Sequence, residues 1–341
     1  MYFYLIGIDY KSAPIGVREA AYKKRKELDK FLSGKGFKSA EVFYTCNRTE
    51  IYGIAKDSVE ARVLIGILVR EFNEFADYGY IKLGREDIFR HLLRLASGLE
   101  SQIKAEPQIL GQLEAWLSKG SFPVLFYQLA RKAISSAKNI RIKSGLGRLN
   151  NNIASFVIKD LLARFKDGEC PEVVIVGTGK IPELFAESRD PRLRLDFASH
   201  KNYIKAKELA GRSGGEALEL KNLQERLLGI DALISVTASP HFLFDEDYFR
   251  KIVSKRRKQL YLYDLAMPRD INPNAGDLSG IILNNLDTLA GVIEEYNKNQ
   301  RVNVLLAQEL IEEIVQECGE ELYEAGLKGG DKAQPLSYKT N

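Results

Sequence analysis

Cys46 stands two positions before Arg48 in "VFYTCNRTEIYGI", residues 42–54, between two runs of strand-forming side chains. A thiol becomes a nucleophile when positive charge or dipoles stabilise its thiolate, and Arg48 is close enough in sequence to contribute. The opposing reading is a small packing residue flanked by Thr45 and Asn47, and this stretch taken alone favours packing. Cys170 and Cys318 are distant and form no C-x-x-C pair, so neither a disulfide framework nor a zinc site is indicated.

A second chemical feature is the glycine turn in "EVVIVGTGKIPELFAES". Gly177, Thr178, Gly179, Lys180, Ile181 and Pro182 follow a buried-strand run and open a helix, where backbone N–H groups can approach a pyrophosphate. Pro182 stands where a third glycine would complete G-x-G-x-x-G, and proline is tolerated in a first helical turn. A structural tight turn explains the same residues nearly as well. Downstream, "LRLDFASHKNY" offers Ser199, His200 and Lys201, hydroxyl and cationic groups suited to a 2′-phosphate, so the expected cofactor is NADPH rather than NADH. Asp196 competes as a ribose ligand if the strand is shorter, and an ordinary solvated loop also accounts for His200 and Lys201.

The chain that must position these groups has 341 residues, enough for two or three domains, and is 45% hydrophobic and 28% charged. Its 50 basic and 46 acidic residues leave a net charge of +4, too little for a general attraction to nucleic acid. The N-terminus lacks a secretory pattern and no stretch is apolar enough to span a bilayer, so a cytoplasmic protein without membrane contact is expected. "YFYLIGIDY" reads as a strand, "REAAYKKRKELDKFL" as a charged helix, and "EVFYTCNRTEIYGIA" as two strands joined across Cys46, together an α+β unit. Residues 57–144 are mainly helical by period. From residue 171, strand runs "EVVIV", "IDALISVTAS" and "QLYLYDLAMP" alternate with helical stretches, implying a parallel sheet. Leu286 to Leu327 reads as one long helix, and the tail "KGGDKAQPLSYKTN" as disordered.

"GIDYKSAPIGVRE", "TCNRTEIY", "RHLLRLASGLESQIKAEPQILGQ", "VVIVGTGKIPEL", "ISVTASPH" and "DLAMPRDINP" resemble, in this order over residues 1 to about 318, the glutamyl-tRNA reductase family. The resemblance implies an α/β and α+β multidomain protein: a catalytic glutamyl-tRNA-binding domain over 1–148, a Rossmann-like NADPH domain over 149–285, and a long helix with tail over 286–341. It implies NADPH-dependent reduction of glutamyl-tRNA to glutamate-1-semialdehyde, the first step of tetrapyrrole (porphyrin) synthesis from glutamate. The cysteine matching Cys46 attacks the ester, tRNA leaves, and the thioester is reduced.

Carried over by position, Thr45, Cys46, Asn47, Arg48, Ser101, Glu106, Pro107, Gln108 and Gln112 match the family's substrate site, and His91 a histidine important for activity. Arg48 would hold the substrate carboxylate with its guanidinium fork, and Glu106 the amino group. A histidine on an amphipathic helix can equally be a packed, hydrogen-bonded residue. Arg131, Lys132, Lys138, Arg141, Lys143 and Arg148 form an acid-free basic stretch suited to tRNA phosphates, with a solvated helix face as the alternative for each charge. "SKRRK" before residue 259 reads as a second cluster or a basic turn.

The chain departs from the family pattern at Tyr10, where histidine is common, at Ala105, where glycine is common, at Pro182, and in the length of its C-terminal region. The late-helix stripe Val304, Ala307, Ile311, Ile314, Cys318 and Leu322 is expected to seek a partner surface, giving a weak homodimer. The family also implies transfer of the product to glutamate-1-semialdehyde aminomutase. Two rivals compete with this reading: a degenerate paralogue that binds tRNA or a pathway enzyme without reducing anything, and a dehydrogenase acting on a tetrapyrrole precursor. The second has no need of Cys46-Asn47-Arg48.

Overall fold

The computed structural model describes residues 1–34, 36, 37, 39–146, 152–188 and 190–327, with side chains described as far as Cys318. Two compact units divide the chain, residues 1–150 with 297–341, and residues 151–296. Arg148 and the tail after Leu327 lie outside the described residues.

The first unit begins with β1 (Tyr2–Asp9), α1 (Ile15–Lys23), α2 (Arg25–Gly34), β2 (Ala40–Tyr44) and β3 (Arg48–Ala55). It continues through α3 (Ser58–Glu71), α4 (Asn73–Tyr78), β4 (Tyr80–Leu83), α5 (Arg85–Ala96), α6 (Gln108–Lys119) and α7 (Val124–Lys143). Its sheet has the order β2-β3-β1-β4 with antiparallel neighbours. β1 is central and covered on both faces, which is why it is apolar at nearly every position. Phe3 and Leu5 point into a core with α5, α6 and α7, whereas Tyr4, Ile6 and Ile8 point into another with α1 to α4. The edge strand β4 was not expected within the helical reading of 57–144; its four residues are too few for a period to register.

The second unit runs α8 (Ile153–Leu162), β5 (Glu172–Val176), α9 (Lys180–Ser188), β6 (Arg194–Ser199), α10 (Tyr203–Ser213), β7 (Ala217–Glu219) and α11 (Leu223–Arg226). Then come β8 (Ala232–Ser235), α12 (Glu246–Val253), β9 (Leu260–Asp264), β10 (Ile281–Asn285) and α13 (Ala290–Asn299). The sheet is parallel with order β10-β9-β8-β5-β6-β7, so strand order reverses between β5 and β8. That reversal opens a crevice at the carboxyl ends of the two strands, where doubly wound sheets take ligands.

The chain then re-enters the first unit as α14 (Arg301–Leu327). The single helix expected from Leu286 is therefore two, preceded by a turn. Asn285 and Thr288 side chains bond the 285–288 backbone, and the Gln300 N–H donates to the Asn297 carbonyl (3.1 Å) at the break. Much of the expected α14 stripe packs within the first unit. Ala307, Ile311, Val315 and Cys318 are buried in the same core as α5 and α7, with Val304 and Ile314 packed against it, whereas Val302, Leu305 and Leu306 of the same helix are exposed; the Leu322 side chain lies outside the described residues.

Candidate active site

β2 and β3 form a hairpin whose connection is Thr45-Cys46-Asn47, and the register puts Arg48 opposite Asp9. The loop is closed by the Thr45 N–H donating to the Arg48 carbonyl (2.9 Å) and by Thr45 Oγ1 accepting from the Asn47 N–H (3.1 Å). Arg18 of α1, 3% exposed, donates from Nη1 to Asn47 Oδ1 (2.9 Å) and to the Cys46 carbonyl (3.3 Å). Cys46 is half-buried, and burial pushes its thiol up to about 11, with Glu106 adding to the shift while Arg18 and Arg48 oppose it.

Arg48, expected to hold a carboxylate with its fork, is engaged within the first unit. It is 2% exposed, with Nη1 on Glu50 Oε1 (2.5 Å), Nη2 on the Glu100 carbonyl (2.5 Å) and Asp9 at 4.0 Å. Burial opposes its charge, but Glu50, Tyr80 and Asp9 together hold it firmly protonated. Glu50 is the hub. Its carboxylate accepts from Arg48, Tyr52, Tyr80 and, at 3.1 Å, faces His91 Nε2. Burial alone would raise the Glu50 carboxyl; His91 and Arg48 more than reverse that and keep it ionised. Gly7, opposite Glu50 on β1, makes the room, since a Cβ there would lie 2.8 Å from Glu50 Cγ. His91 thus sits 3% exposed within the Glu50 network of α5 and β3.

The α5–α6 connection, residues 97–106, is a strap held by side chains on its carbonyls. Arg141 of α7 donates to the carbonyls of Ser97 (2.9 Å), Ala105 (2.8 Å) and Glu106 (3.4 Å). Lys104 Nζ donates to those of Leu99 (2.6 Å) and Ser101 (3.0 Å), and Tyr10 Oη to that of Ser101 (3.1 Å). Tyr10, where the family commonly has histidine, therefore helps hold the strap. Burial, with Lys11 next, pushes the Lys104 ammonium down to about 8. Ala105 has φ 66, the left-handed conformation that favours glycine, which gives the expected glycine its physical reason. Arg141 was expected on a tRNA-binding surface and is instead 8% exposed and fully engaged inside the unit.

The strap ends at Glu106, whose carboxyl burial pushes up to about 7 against the pull of Arg48 and Arg141. Cys46, Arg48 and Glu106 are thus brought within electrostatic reach of one another. Ser101 is buried on the same strap, Pro107 caps α6, and Gln108 and exposed Gln112 share a face of that helix at i, i+4 spacing. Beside Glu100, a cavity of about 300 Å³ is lined by Asp9, Lys11, Ser12, Tyr80, Ile81, Lys82, His91 and Glu100.

In the second unit, Gly177 at the end of β5 has φ 127, and a Cβ there would lie 2.1 Å from the Val236 carbonyl oxygen after β8. Glycine is required because the two chain segments meet at the strand-order reversal. At Gly179 a Cβ would meet nothing within 4 Å, so the turn is open above the N-terminus of α9, where first-turn N–H groups lack intrahelical partners. Pro182 is buried in that first turn. This cradle fits a dinucleotide pyrophosphate. At the end of β6, Ser199 Oγ accepts from the Asn202 N–H (3.0 Å), and His200 and Lys201 are exposed. Asp196 cannot serve as a ribose ligand. It is buried in mid-strand, accepting from Arg226 Nη2 (2.8 Å) and the Glu216 N–H (2.9 Å).

Reading the sequence missed the carboxylates that shape the loop after β9. Asp264 accepts from the N–H groups of Ala266 (3.1 Å), Asp270 (3.3 Å) and Ile271 (2.8 Å). Asp270 accepts from Ser235 Oγ (2.7 Å), Thr237 N–H (2.9 Å) and Thr237 Oγ1 (2.6 Å), latching this loop to the end of β8. Burial pushes Asp264 up to about 7, with Asp270 adding to it. "SKRRK" is a basic turn in part, because Arg256 spans the carbonyls of Leu227, Ile230, Lys258 and Gln259. His241 lies exposed in the loop after β8.

Strand order and crevice define the second unit as a nucleotide-binding fold of the dehydrogenase class. Accordingly, residues 161–292 match the shikimate / quinate 5-dehydrogenase family, while residues 6–144 match the N-terminal domain of glutamyl-tRNAGlu reductase. Glutamyl-tRNA reductase from Thermus thermophilus is 33% identical over 320 residues, covering 92% of this chain and 78% of the relative. That from Alkalilimnicola ehrlichii is 30% identical over 330 residues, covering 92% and 73%. The solved glutamyl-tRNA reductase of Methanopyrus kandleri superposes with a TM-score of 0.50 at 25% identity, over 96% of this chain and 82% of that one. The chain belongs to the glutamyl-tRNA reductase family. No described helix is long and apolar enough to cross a membrane.

Proposed function

We propose that this protein reduces glutamyl-tRNA to glutamate-1-semialdehyde, opening tetrapyrrole synthesis in the cytoplasm, and that Cys46 carries the acyl group. The observation that carries the reading is family similarity along nearly the whole chain, together with a half-buried thiol on the β2–β3 loop within electrostatic reach of Glu106. In the reaction Cys46 Sγ bonds to the ester carbonyl carbon, the C–O bond to the tRNA 3′ end breaks, and the thiol proton goes to the leaving oxygen. NADPH held at Gly177, Gly179 and the Ser199-His200-Lys201 segment would supply the hydride that turns the thioester into the aldehyde and frees Cys46.

A thiol near 11 is a poor nucleophile at neutral pH, and part of that shift comes from Glu106. The α-ammonium of the aminoacyl group, docked on Glu106, cancels that negative field and favours the thiolate. Arg48 acts on this scheme by fixing Glu50 and the Glu100 carbonyl, so its task is to hold the frame around Cys46. His91, tied to Glu50, has the same task. Thr45 and Asn47 shape the nucleophile loop; Ser101, Pro107, Gln108 and Gln112 line the approach from the strap and α6. Exposed Arg131, Lys132, Lys138 and Lys143 on α7 offer phosphate contacts. The α-amino aldehyde is reactive, so an acceptor such as the aminomutase is the natural partner, and self-association would draw on the exposed Val302, Leu305 and Leu306 of α14 rather than on its buried residues.

Purified protein with glutamyl-tRNA and NADPH tests the proposal, with semialdehyde as the product measured. Formation of semialdehyde, and of a tRNA-free acylated Cys46 when NADPH is withheld, is expected. Failure to release tRNA under either condition would exclude the reaction.

A further inference from the structure

The 97–106 strap is held by Arg141, Lys104 and Tyr10 from within residues 1–150, and by one more side chain from much later in the sequence. Asn297, in the last turn of α13 and 193 residues beyond Lys104, accepts from the Lys104 N–H with Oδ1 (3.0 Å). Its Nδ2 donates to the Gln102 carbonyl (3.0 Å). A carboxamide presents donor and acceptor in one plane as a peptide does. Taking the C=O of residue 102 and the N–H of residue 104 is how a neighbouring parallel strand would pair around Ile103.

The clamp leads directly to the reacting groups. The Ile103 carbonyl accepts from the Glu106 N–H (3.3 Å), so the clamped residue carries the turn that delivers Glu106. Gln102, whose carbonyl is held, follows Ser101, and all three residues 101–103 are buried. Glu106 in turn raises the Cys46 thiol.

We propose that Asn297 is a positioning residue for the reaction: its carboxamide locks the 102–104 peptide and thereby holds Glu106 in register with Cys46. The inference rests on the roles given above to Cys46 and Glu106. It predicts that losing the clamp withdraws Glu106 from the thiol, a change that a loss of general stability would not produce.

The test needs neither tRNA nor NADPH in its first arm. Iodoacetamide alkylation is followed against pH in wild type, Asn297→Ala and Asn297→Asp, with the Cys46 peptide read by mass spectrometry so that exposed Cys170 does not contribute. Asn297→Asp is nearly isosteric; it keeps an acceptor for Lys104 and sets an oxygen against the Gln102 carbonyl, so it serves if the alanine variant does not fold. Both variants are expected to move the alkylation midpoint down by about one pH unit. In the second arm, kcat for glutamyl-tRNA reduction is expected to fall about tenfold to a hundredfold, with the KM for NADPH unchanged. Alkylation profiles of both variants that superimpose on wild type would overturn the clamp. A shifted profile with unchanged turnover would instead overturn the role of Cys46 on which the inference rests.

Discussion

The two ligand-binding regions are built by opposite means. Around Cys46, position is enforced by buried charged side chains: Arg48 on Glu50 and Glu100, Arg18 on Asn47, Arg141 and Lys104 on strap carbonyls. At the cofactor crevice position is enforced by backbone, with parallel strands changing direction and a glycine pressed against the Val236 carbonyl. The covalent step proposed for Cys46 needs a field tuned at one sulfur atom, which side-chain charges supply. A pyrophosphate needs several N–H groups, which a turn and helix end supply by their shape.

The largest expected effect separates chemistry from frame. Cys46→Ser should lower semialdehyde formation about 10⁴-fold or more, while Cys170→Ser leaves it intact. Activity surviving in the serine variant removes the thiol from the scheme.

Next come paired substitutions that attack each mode of construction. Arg48→Met strands the buried Glu50 carboxylate without its guanidinium partner and should destabilise the first unit by about 3–5 kcal/mol. Gly177→Ala, with its Cβ driven onto the Val236 carbonyl oxygen, should cost about 1–3 kcal/mol in the second unit and eliminate NADPH binding. Denaturant unfolding and cofactor titration read both. If Gly177→Ala binds NADPH normally, the crevice does not depend on that close approach.

Both regions contain a carboxyl pushed up to about 7, Glu106 from 4.5 and Asp264 from 3.8. A folded state that holds such protons more tightly than the unfolded chain gains stability in full below about pH 4, and loses it as pH rises through about 7. Stability should therefore fall from about pH 4 to about pH 7, on the order of 3 kcal/mol for each group. Glu106→Gln should flatten this slope for the first unit and Asp264→Asn for the second. An unchanged slope in either variant would assign the pH dependence elsewhere.

The smallest effect is expected at the surface of the crevice. Lys201→Ala should reduce the preference for NADPH over NADH by about tenfold, the worth of one charge-assisted contact. Equal use of the two nicotinamides by the wild type would remove the 2′-phosphate assignment.

The contrast also explains what could be read from the sequence. β1, β5, β8 and β9 were legible because they are central, doubly covered strands with continuous apolar runs. Three-residue β7 and five-residue β10 are edges with mixed patterns, and neither was recognised. The Gly177 turn was found because its residue types carry chemistry at fixed spacing, whereas Cys46 and Glu106 stood out only through the family resemblance, the Cys46 stretch taken alone favouring a packing role. The partners of those residues were not found, since Arg18, Asn297 and Asp264 act through contacts between segments far apart in sequence. The partners of Arg48 were hidden for the same reason: a cation beside a cysteine says nothing of Glu50 or of the Glu100 carbonyl that it bonds.

Arg141 bears on how this protein would respond to ionic strength. Only cations that displace condensed counterions from a polyanion contribute to the salt dependence of its binding, roughly 0.7 to 0.9 in log–log slope per phosphate neutralised. Arg141 is buried against the strap, and Lys138 already pairs with Glu114 at 2.5 Å, so the acid-free run of α7 offers fewer counterion-releasing charges than it contains. Lys143 and Arg131 remain exposed at the two ends of that run. The affinity for tRNA should accordingly weaken with added salt less steeply than the cations of this helix, counted along the chain, would suggest.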